Sequence, residues 1–286
     1  MLAAAGLAGC GGGGGGGGGV TIQPARVYRL AGFQPSGSVP AGKPVTVSFS
    51  IRQPDGATLT RFRTGPGPHT GVHLIYVRAD LADIVHHHPP LQRSGDIVDR
   101  VVFPAPGPYR LVIDVYPASC GASTSSAAEG AAAGATCNFQ LFRTIDVAGA
   151  YAPQPLPPTT QAQTVDGYRF TLSGAAHLRA IQAQLVQVRV TAPDGKPAVF
   201  GTWYGALAHA IFFRRGSLDY FHTHVCAPGA VGCTSVLGGT RVTGTSSTPG
   251  KLTVGVLVPV PGTWRLFLQV KVNGTVVTAP FTLHVA

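Results

Sequence analysis

Apolar and polar residues alternate over short runs along this chain, which is the spacing of half-buried β-strands. In the first half the runs lie at 27–30, 45–52, 72–78, 84–88, 97–103, 109–116 and 139–147. In the second half they lie at 186–191, 211–214, 219–225, 252–259 and 279–285. The one helix candidate, 175–185, is short and has no capping residues. The pattern predicts an all-β protein made of two tandem immunoglobulin-like β-sandwich domains.

Three landmarks occur in the same order in both halves of the chain. A Pro-Asp-Gly turn at 54–56 recurs at 193–195. A histidine-containing hairpin follows each turn. The string Pro-x-Pro-Gly-x-aromatic-Arg-Leu then ends at Leu111 and again at Leu266, with Tyr109 and Trp264 at its aromatic position. These landmarks indicate an internal duplication, and we predict that Tyr109 and Trp264 are buried at equivalent positions.

The duplication and the composition predict four segments. Residues 1–19 are read as a truncated lipoprotein signal followed by a Gly-rich tether, and 20–147 as the first sandwich domain. Residues 148–163 are rich in proline and predict an extended linker. Residues 164–286 form the second domain. A chain of 286 residues is long enough for two domains of ordinary size.

The first hairpin brings histidines together by its register. A four-residue loop at 79–82 would pair Arg78 with Asp83 and place His73 opposite His88. Residues two apart on a strand share a face, so His86 joins them by a diagonal contact, whereas His87 faces the other way. The residues predicted to bind metal in the first domain are therefore His73, His86 and His88. His69 lies four residues before His73 and could join them.

The second hairpin repeats this arrangement with His209, His222 and His224. Threonine replaces the outward histidine, so the same-face histidines are the ones that recur. Imidazole binds Cu, Zn and Ni, and three nitrogens suit Cu(II) or a zinc ion with an open position. We predict an independent site in each domain, with copper as the first choice of metal and zinc as the second. His177 and His284 have no counterpart and are expected to be incidental.

Two alternatives stay open at this stage. The histidines could hydrogen-bond to backbone at the open end of a sandwich, in a cell-envelope module that binds an unidentified protein. A zinc-dependent hydrolase is the weaker alternative, because the sequence shows no carboxylate base near the histidines. We therefore predict a metal-binding protein that is not an enzyme.

The five cysteines indicate an oxidising compartment. The local pairs Cys120/Cys137 and Cys226/Cys233 predict two disulfides, although a Cys226 thiolate could instead join the histidines of the second hairpin. Cys10 ends a Leu-Ala-Gly-Cys string that resembles the bacterial lipobox, which predicts a lipid-anchored protein outside the cytoplasm. Nine residues precede Cys10 and none is basic, so a complete signal would need a longer leader.

Composition narrows the class of partner. The net charge is +10, but basic residues are scattered and the longest run is Arg214–Arg215. Nucleic-acid binding needs a clustered basic stripe, so we predict no nucleic-acid partner. Charged residues make up 11% of the chain, against about 25% in typical soluble domains. No stretch of 18 apolar residues occurs, so no membrane span is predicted.

The string His-Leu-Ile-x-Val-Arg-x-Asp-Leu at the start of the first hairpin, closing with His-x-His-Pro at 86–89, resembles bacterial secreted and lipid-anchored proteins with YtkA-like or CopC-like domains. The second hairpin and residues 262–269 resemble the same group. The resemblance covers most of 70–116 and 205–285, and it implies immunoglobulin-type sandwiches linked to copper handling. The first domain departs from it at 111–114, where the second has Leu-Phe-Leu-Gln, so a role for Gln269 would make the two sites differ.

Overall fold

The computed structural model describes residues 27–118, 138–230, 233, 236–237, 240–241 and 243–286. Cys10 and the predicted Cys120–Cys137 disulfide lie outside these residues. The described chain is all-β, as predicted, and the helix candidate at 175–185 contains one short 3-10 turn at Ala175–His177. No helix in the described ranges is long and apolar enough to cross a membrane.

The strands fall into two halves, separated by residues 149–161, which lack regular structure. The N-terminal half contains β1 (Arg29–Gln34), β2 (Val39–Pro40), β3 (Pro44–Arg52), β4 (Val72–Arg78), β5 (Ile84–His87), β6 (Ile97–Val102), β7 (Gly107–Val115) and β8 (Phe139–Ala148). The C-terminal half contains β9 (Ala162–Val165), β10 (Tyr168–Ser173), β11 (Gln184–Thr191), β12 (Phe200–Gly201), β13 (Ala208–Arg214), β14 (Tyr220–Cys226), β15 (Val236–Leu237), β16 (Thr240–Arg241), β17 (Gly244–Thr245), β18 (Lys251–Val256), β19 (Gly262–Val272) and β20 (Thr275–Val285).

The N-terminal half is a sandwich of two sheets. One sheet has the strand order β1-β3-β6 and the other β2-β8-β7-β4-β5. Alternate residues of β3 and β6 face alternate residues of β4 and β7, so Val47 and Phe49 meet Tyr76 and Ile113 in a buried core. The two-residue period of a strand thus places every second side chain in this core.

The C-terminal half is built around one continuous hydrogen-bonded path. Its strand order is β12-β19-β13-β14-β17-β18-β11-β10-β9, and β20 pairs with β19. The path doubles back on itself, so Phe170 and Val188 on one side pack against Phe212, Leu266 and Phe281 on the other. This half therefore has its own core, separate from that of the N-terminal half.

A third apolar layer joins the two halves. On β4, Leu74 and Tyr76 point into the N-terminal core, whereas Ile75 and Val77 point out of it. The outward residues are nevertheless fully buried, because they pack against the outward face of β13 and β19. This layer consists of Ile75, Val77, Leu81, Val112, Ile211, Phe213 and Phe267.

The connecting segment is attached to the N-terminal half. The backbone N–H of Gln154 donates to the Asp80 carboxylate at 2.8 Å, in the turn of the first hairpin. Leu156 packs against the apolar layer between the halves. The segment therefore follows the seam between the halves.

The aromatic residues of the repeated string have equivalent strand partners in the two halves. Tyr109 and Trp264 are both fully buried, and each lies opposite the arginine that begins its hairpin turn, Arg78 and Arg214 respectively. Each also bonds to the carbonyl four residues upstream, Tyr109 Oη to Ala105 O and Trp264 Nε1 to Val260 O, both at 3.1 Å. The prediction of equivalent buried aromatics is confirmed.

Candidate metal centre

The first hairpin has the predicted register. Ile75 lies opposite His86 and Leu74 opposite His87, and the backbone N–H of Arg78 donates to Asp83 O at 3.0 Å. Continuing this register by one residue places His73 opposite His88. The rings of that pair stack with centroids 3.8 Å apart.

The second hairpin follows the same rule. His209 lies directly opposite His224, and His222 is two residues further along β14, opposite Ile211. The backbone N–H of Arg214 donates to Asp219 O at 2.9 Å and closes the turn. All three histidines are therefore on the face of β13 and β14 that points toward the N-terminal half.

Because the histidine-bearing faces of the two hairpins are stacked on one another, the two trios meet. The His86 ring centroid is 5.1 Å from that of His209 and 5.4 Å from that of His222. His224 Nδ1 lies 3.2 Å from Nε2 of His69, which also belongs to the N-terminal half. The histidine cluster comprises His69, His73, His86, His88, His209, His222 and His224.

Three groups of histidines among the described residues bring one nitrogen each within 4.8 Å of one another. One group is the predicted first trio. The other two groups mix the halves. The three groups are His73, His86 and His88; His73, His222 and His224; and His86, His209 and His222.

The predicted second trio is therefore divided between two mixed groups, each completed by a histidine of the N-terminal half. The described residues do not place His209, His222 and His224 in one group of their own, and the prediction of an independent site in each domain stays a prediction. The mixed groups arise because the outward faces of the two hairpins are stacked on one another. Any ion held by a mixed group contacts both halves.

Two of the histidines are oriented by acceptors outside the cluster. His86 Nδ1 donates to Gln269 Oε1 at 3.0 Å, and the Gln269 amide nitrogen donates to Thr278 Oγ1 at 3.1 Å. His209 Nε2 donates to the Trp203 carbonyl at 3.0 Å. These bonds leave His86 Nε2 and His209 Nδ1 as the unprotonated atoms. Metal-binding histidines are commonly oriented by such a bond on the other ring nitrogen.

The free nitrogens face other imidazole nitrogens. His86 Nε2 is 3.1 Å from His88 Nε2, and His209 Nδ1 is 3.3 Å from His222 Nε2. Two nitrogens bound to one ion at about 2 Å would lie about 2.9–3.4 Å apart for tetragonal to tetrahedral angles. The spacing of these pairs suits ligands that share an ion, and it is also that of an N–H···N hydrogen bond between two imidazoles.

Other histidine nitrogens are buried without any hydrogen-bond partner. These atoms are both ring nitrogens of His73, Nδ1 of His222 and Nε2 of His224. The backbone at Pro68 and Thr70 is close enough to favour a protonated His73, but it does not reach hydrogen-bonding geometry. Buried polar atoms almost always have a partner, so this set of orphans indicates a ligand.

The environment keeps the cluster neutral. Burial lowers the pKa of His73, and the neighbouring His209 and His69 lower it further. Burial also lowers the pKa of His209, to about 4. The pKa values of four more members of the cluster, His86, His88, His222 and His224, are lowered by burial first and by adjacent histidines second. Neutral imidazole is the form that binds metal.

The other histidines and the cysteine that the sequence singled out lie outside the cluster. His87 faces away as predicted, and its Nδ1 lies 3.0 Å from the Asp99 carboxylate. His177 and His284 are exposed. Cys226 and Cys233 form the predicted disulfide, so Cys226 is not available as a thiolate ligand.

Sequence reasoning missed a buried carboxylate beside the cluster. Asp114 lies directly opposite His73 on β7, at the position that Gln269 holds opposite His209 on β19. Burial raises the pKa of Asp114, and four donors partly offset that effect. One of the donors is Tyr220 of the other half, whose hydroxyl lies 3.4 Å from Asp114. Asp114 therefore helps to join the two halves.

The loop before β13, at 203–205, covers the histidine cluster. Tyr204 stacks on His88 with ring centroids 3.9 Å apart and an interplanar angle of 4°. Trp203 lies edge-on to His86 with centroids 5.3 Å apart. Gly205 lies against the backbone of the 66–68 loop, where a Cβ would meet Gly67 C at 2.6 Å and Pro68 N at 2.7 Å.

We expect Gly205→Ala to destabilise the protein by about 2–4 kcal/mol, since it combines strain at positive φ with a backbone clash between the halves. Gly195→Ala is the matched control, because Gly195 has a similar φ of +80° with nothing within 4 Å of an added Cβ. The control should lose only about 1 kcal/mol from backbone strain. Urea unfolding of both variants measures the difference, and equal losses would mean that the loops do not pack as described.

Comparison with known proteins gives a family match for the C-terminal half. Residues 163–286 match the model of a domain of unknown function, DUF8832. No curated protein has a significant sequence match to the chain. The resemblance to YtkA-like and CopC-like proteins is not tested by these comparisons and stays a prediction.

Similar solved structures include parts of an S-layer protein, an adhesin and a putative membrane anchored protein. Domains 5–6 of the S-layer protein SbsC have 10% identity and a TM-score of 0.24, covering 91% of this chain and 98% of that one. The Escherichia coli adhesin FdeC has 14% identity and a TM-score of 0.26, covering 92% and 66%. A putative membrane anchored protein from Corynebacterium diphtheriae has 10% identity and a TM-score of 0.26, covering 93% and 58%. At these scores the likenesses carry no argument about function.

Proposed function

We propose that this protein binds a transition-metal ion between its two halves, with copper as the first choice and zinc as the second. The observation that carries the proposal is the set of buried histidine nitrogens without partners, which belong to His73, His222 and His224. These three histidines also form one of the three groups with ligand spacing. A purely structural cluster would be expected to satisfy its buried nitrogens.

The type of ligand favours copper or zinc over Ca²⁺ or Mg²⁺. All three groups consist of imidazoles alone, whereas Ca²⁺ and Mg²⁺ require oxygen ligands. The chain has a single methionine, Met1, so no thioether set for Cu(I) is available. Cu(II) and Zn²⁺ both accept three imidazoles with an open fourth position.

The proposed location is the outer face of a bacterial membrane, with a lipid anchor at Cys10. The lipobox-like string, the glycine tether and the Cys226–Cys233 disulfide support this location. Two tandem immunoglobulin-like domains remain the proposed architecture, supported by the internal repeat and by a separate core in each half. The absence of enzymatic activity stays a prediction.

Titration of the metal-free full chain with Cu(II) and with Zn²⁺, followed by calorimetry and metal analysis, tests the proposal. We expect saturable binding that survives in His87→Ala, whose side chain lies on the opposite face beside Asp99. Binding that is absent, or as weak as that of a histidine-poor control protein, would contradict the proposal.

We expect the metal-free protein to lose stability as the pH falls below about 6.5, the ordinary pKa of histidine. Burial lowers the folded-state pKa of six histidines of the cluster. Between the lowered and ordinary values the unfolded chain binds more protons, so acid favours unfolding. The contribution of these neutral histidines to the free energy of unfolding is complete above the histidine pKa of the unfolded chain and decreases below it. Urea unfolding from about pH 7.5 to 5 measures it, and a flat profile would contradict the buried, neutral cluster.

A cell-envelope interaction module with structural histidines is the second candidate function. An open groove on the N-terminal half favours it, because two arginines there lie over two phenylalanines. Arg110 lies 5.5 Å from the Phe142 ring centroid, and Arg143 lies 5.5 Å from that of Phe33. Phe142 is also 46% exposed. If the metal titration shows no binding, the interaction module replaces metal binding as the proposed function.

A further inference from the structure

We propose that the cluster holds two metal ions and that the imidazole of His222 bridges them. The proposal rests on the proposed function and specifies the form of its metal centre. It follows from the position of His222, from the different surroundings of its two nitrogens, and from the separate ligand sets on its two sides.

His222 occupies the middle of the cluster. It is the one histidine that belongs to both mixed groups. One group joins it to His73 and His224, and the other joins it to His86 and His209. Its ring centroid lies 4.4 Å from that of His224 and 5.4 Å from those of His209 and His86. The distance to the His73 centroid is 5.7 Å. Both groups therefore lie within reach of a single imidazole.

The two nitrogens of His222 face different surroundings. Nε2 lies 3.3 Å from His209 Nδ1, which is the free nitrogen of a histidine whose other nitrogen is bound to Trp203 O. Nδ1 is buried and has no partner. The geometry assigns Nε2 to the group with His86 and His209, and Nδ1 to the group with His73 and His224.

Each group then has its own ligands besides His222. On one side, His224 offers Nε2, since its Nδ1 lies 3.2 Å from His69, and His73 offers a nitrogen without a partner. On the other side, His86 offers Nε2 and His209 offers Nδ1. His222 is the only residue that the two sets share, so both can be filled together.

His88 has a different place in this scheme. The group of His73, His86 and His88 shares His73 with the ligand set of one ion and His86 with the ligand set of the other. It therefore cannot hold a third ion while both of those sets are filled. His88 is partly exposed and lines a surface cavity together with Arg63 and Leu91. Its Nε2 lies 3.1 Å from His86 Nε2. His88 therefore connects the cavity to the buried ligands and offers the first contact to an arriving ion.

The bridge requires the loss of one proton. A neutral imidazole has one N–H, so His222 can bind the first ion through its free nitrogen without further change. When the second ion binds the other nitrogen, the N–H proton passes to solvent and the ring becomes an imidazolate. With metal–nitrogen bonds of about 2 Å on opposite sides of the ring, the two ions would lie about 6 Å apart.

Electron paramagnetic resonance of the full chain loaded with Cu(II) tests the bridge. At one equivalent we expect the signal of isolated Cu(II). At two equivalents we expect the signal per copper to fall and a half-field transition to appear, because the imidazolate couples the two spins. Calorimetry in two buffers of different ionisation enthalpy should show release of the bridging proton with the second ion.

Three variants make the test specific. His222→Ala should abolish the spin coupling, because it removes the shared ligand. His224→Ala, on the same strand, should remove one copper and leave an uncoupled signal from the other. His87→Ala should retain two coupled coppers, because its ring points to Asp99.

The possible failures are distinguishable. One copper per chain, or two coppers with additive and uncoupled signals, would overturn the bridge and leave the proposed metal binding intact. Unchanged coupling in His222→Ala would also overturn it. No copper binding at all would overturn both the bridge and the proposed function. The wild-type spectrum decides the matter even where a variant does not fold.

Discussion

Replacing Trp264 with alanine is expected to lower the free energy of unfolding by about 3–5 kcal/mol. The side chain is fully buried in the core of the C-terminal half, so its removal leaves a large cavity. The change also leaves the Val260 carbonyl without the 3.1 Å bond from Trp264 Nε1. Loss of this part-buried hydrogen bond adds about 1 kcal/mol to the cost of lost packing.

Equilibrium unfolding in guanidinium checks this value, with Tyr109→Phe as the matched control at the repeated position. That variant removes only the hydroxyl that bonds to Ala105 O, and its expected cost is about 1 kcal/mol. If Trp264→Ala costs no more than Tyr109→Phe, Trp264 does not fill the core as described.

The register of both hairpins could be predicted because few residues determine it. A strand has a side-chain period of two, and a short turn leaves one way to pair its ends. Once Arg78 pairs with Asp83, the position of His73 opposite His88 follows without knowledge of the rest of the fold. The outward direction of His87 follows from the same parity.

The partner of each hairpin could not be predicted from these local rules. Two stacked faces come from distant parts of the chain, and nothing in the spacing of the histidines shows that their faces meet. One feature of the sequence does indicate that these strands are covered on both faces. The strands β4 and β13 are nearly continuous apolar runs, and such runs are typical of strands buried on both sides.

The contacts around the histidines could not be predicted from the sequence, although the resemblance pointed to Gln269 as a residue that could affect the site. Gln269 holds His86 across the seam, and Tyr204 stacks on His88 from a loop of the other half. These contacts depend on the relative position of the halves. Asp114 was equally hidden, because a single carboxylate in a strand gives no pattern until its strand is placed beside β4.

A metal centre shared between the halves predicts a second large effect, the loss of copper binding when histidines of one half alone are replaced. Replacing His73 and His86 together, both in the N-terminal half, removes one ligand from each mixed group. Replacing His209 and His224 together does the same from the C-terminal half. Loss of a ligand should weaken each site by at least about 100-fold, since even outer-sphere partners of a metal contribute about 10–100-fold. Either double variant should therefore lose all tight copper binding.

Calorimetric titration of Cu(II) into the wild-type chain and these two double variants is the most direct test of a centre shared between the halves. His87→Ala serves as the control for a histidine that lies outside the cluster. The shared centre predicts that neither double variant retains an equivalent of copper at wild-type affinity. One equivalent left at unchanged affinity in each variant would show that the two hairpins bind copper separately, and would contradict it.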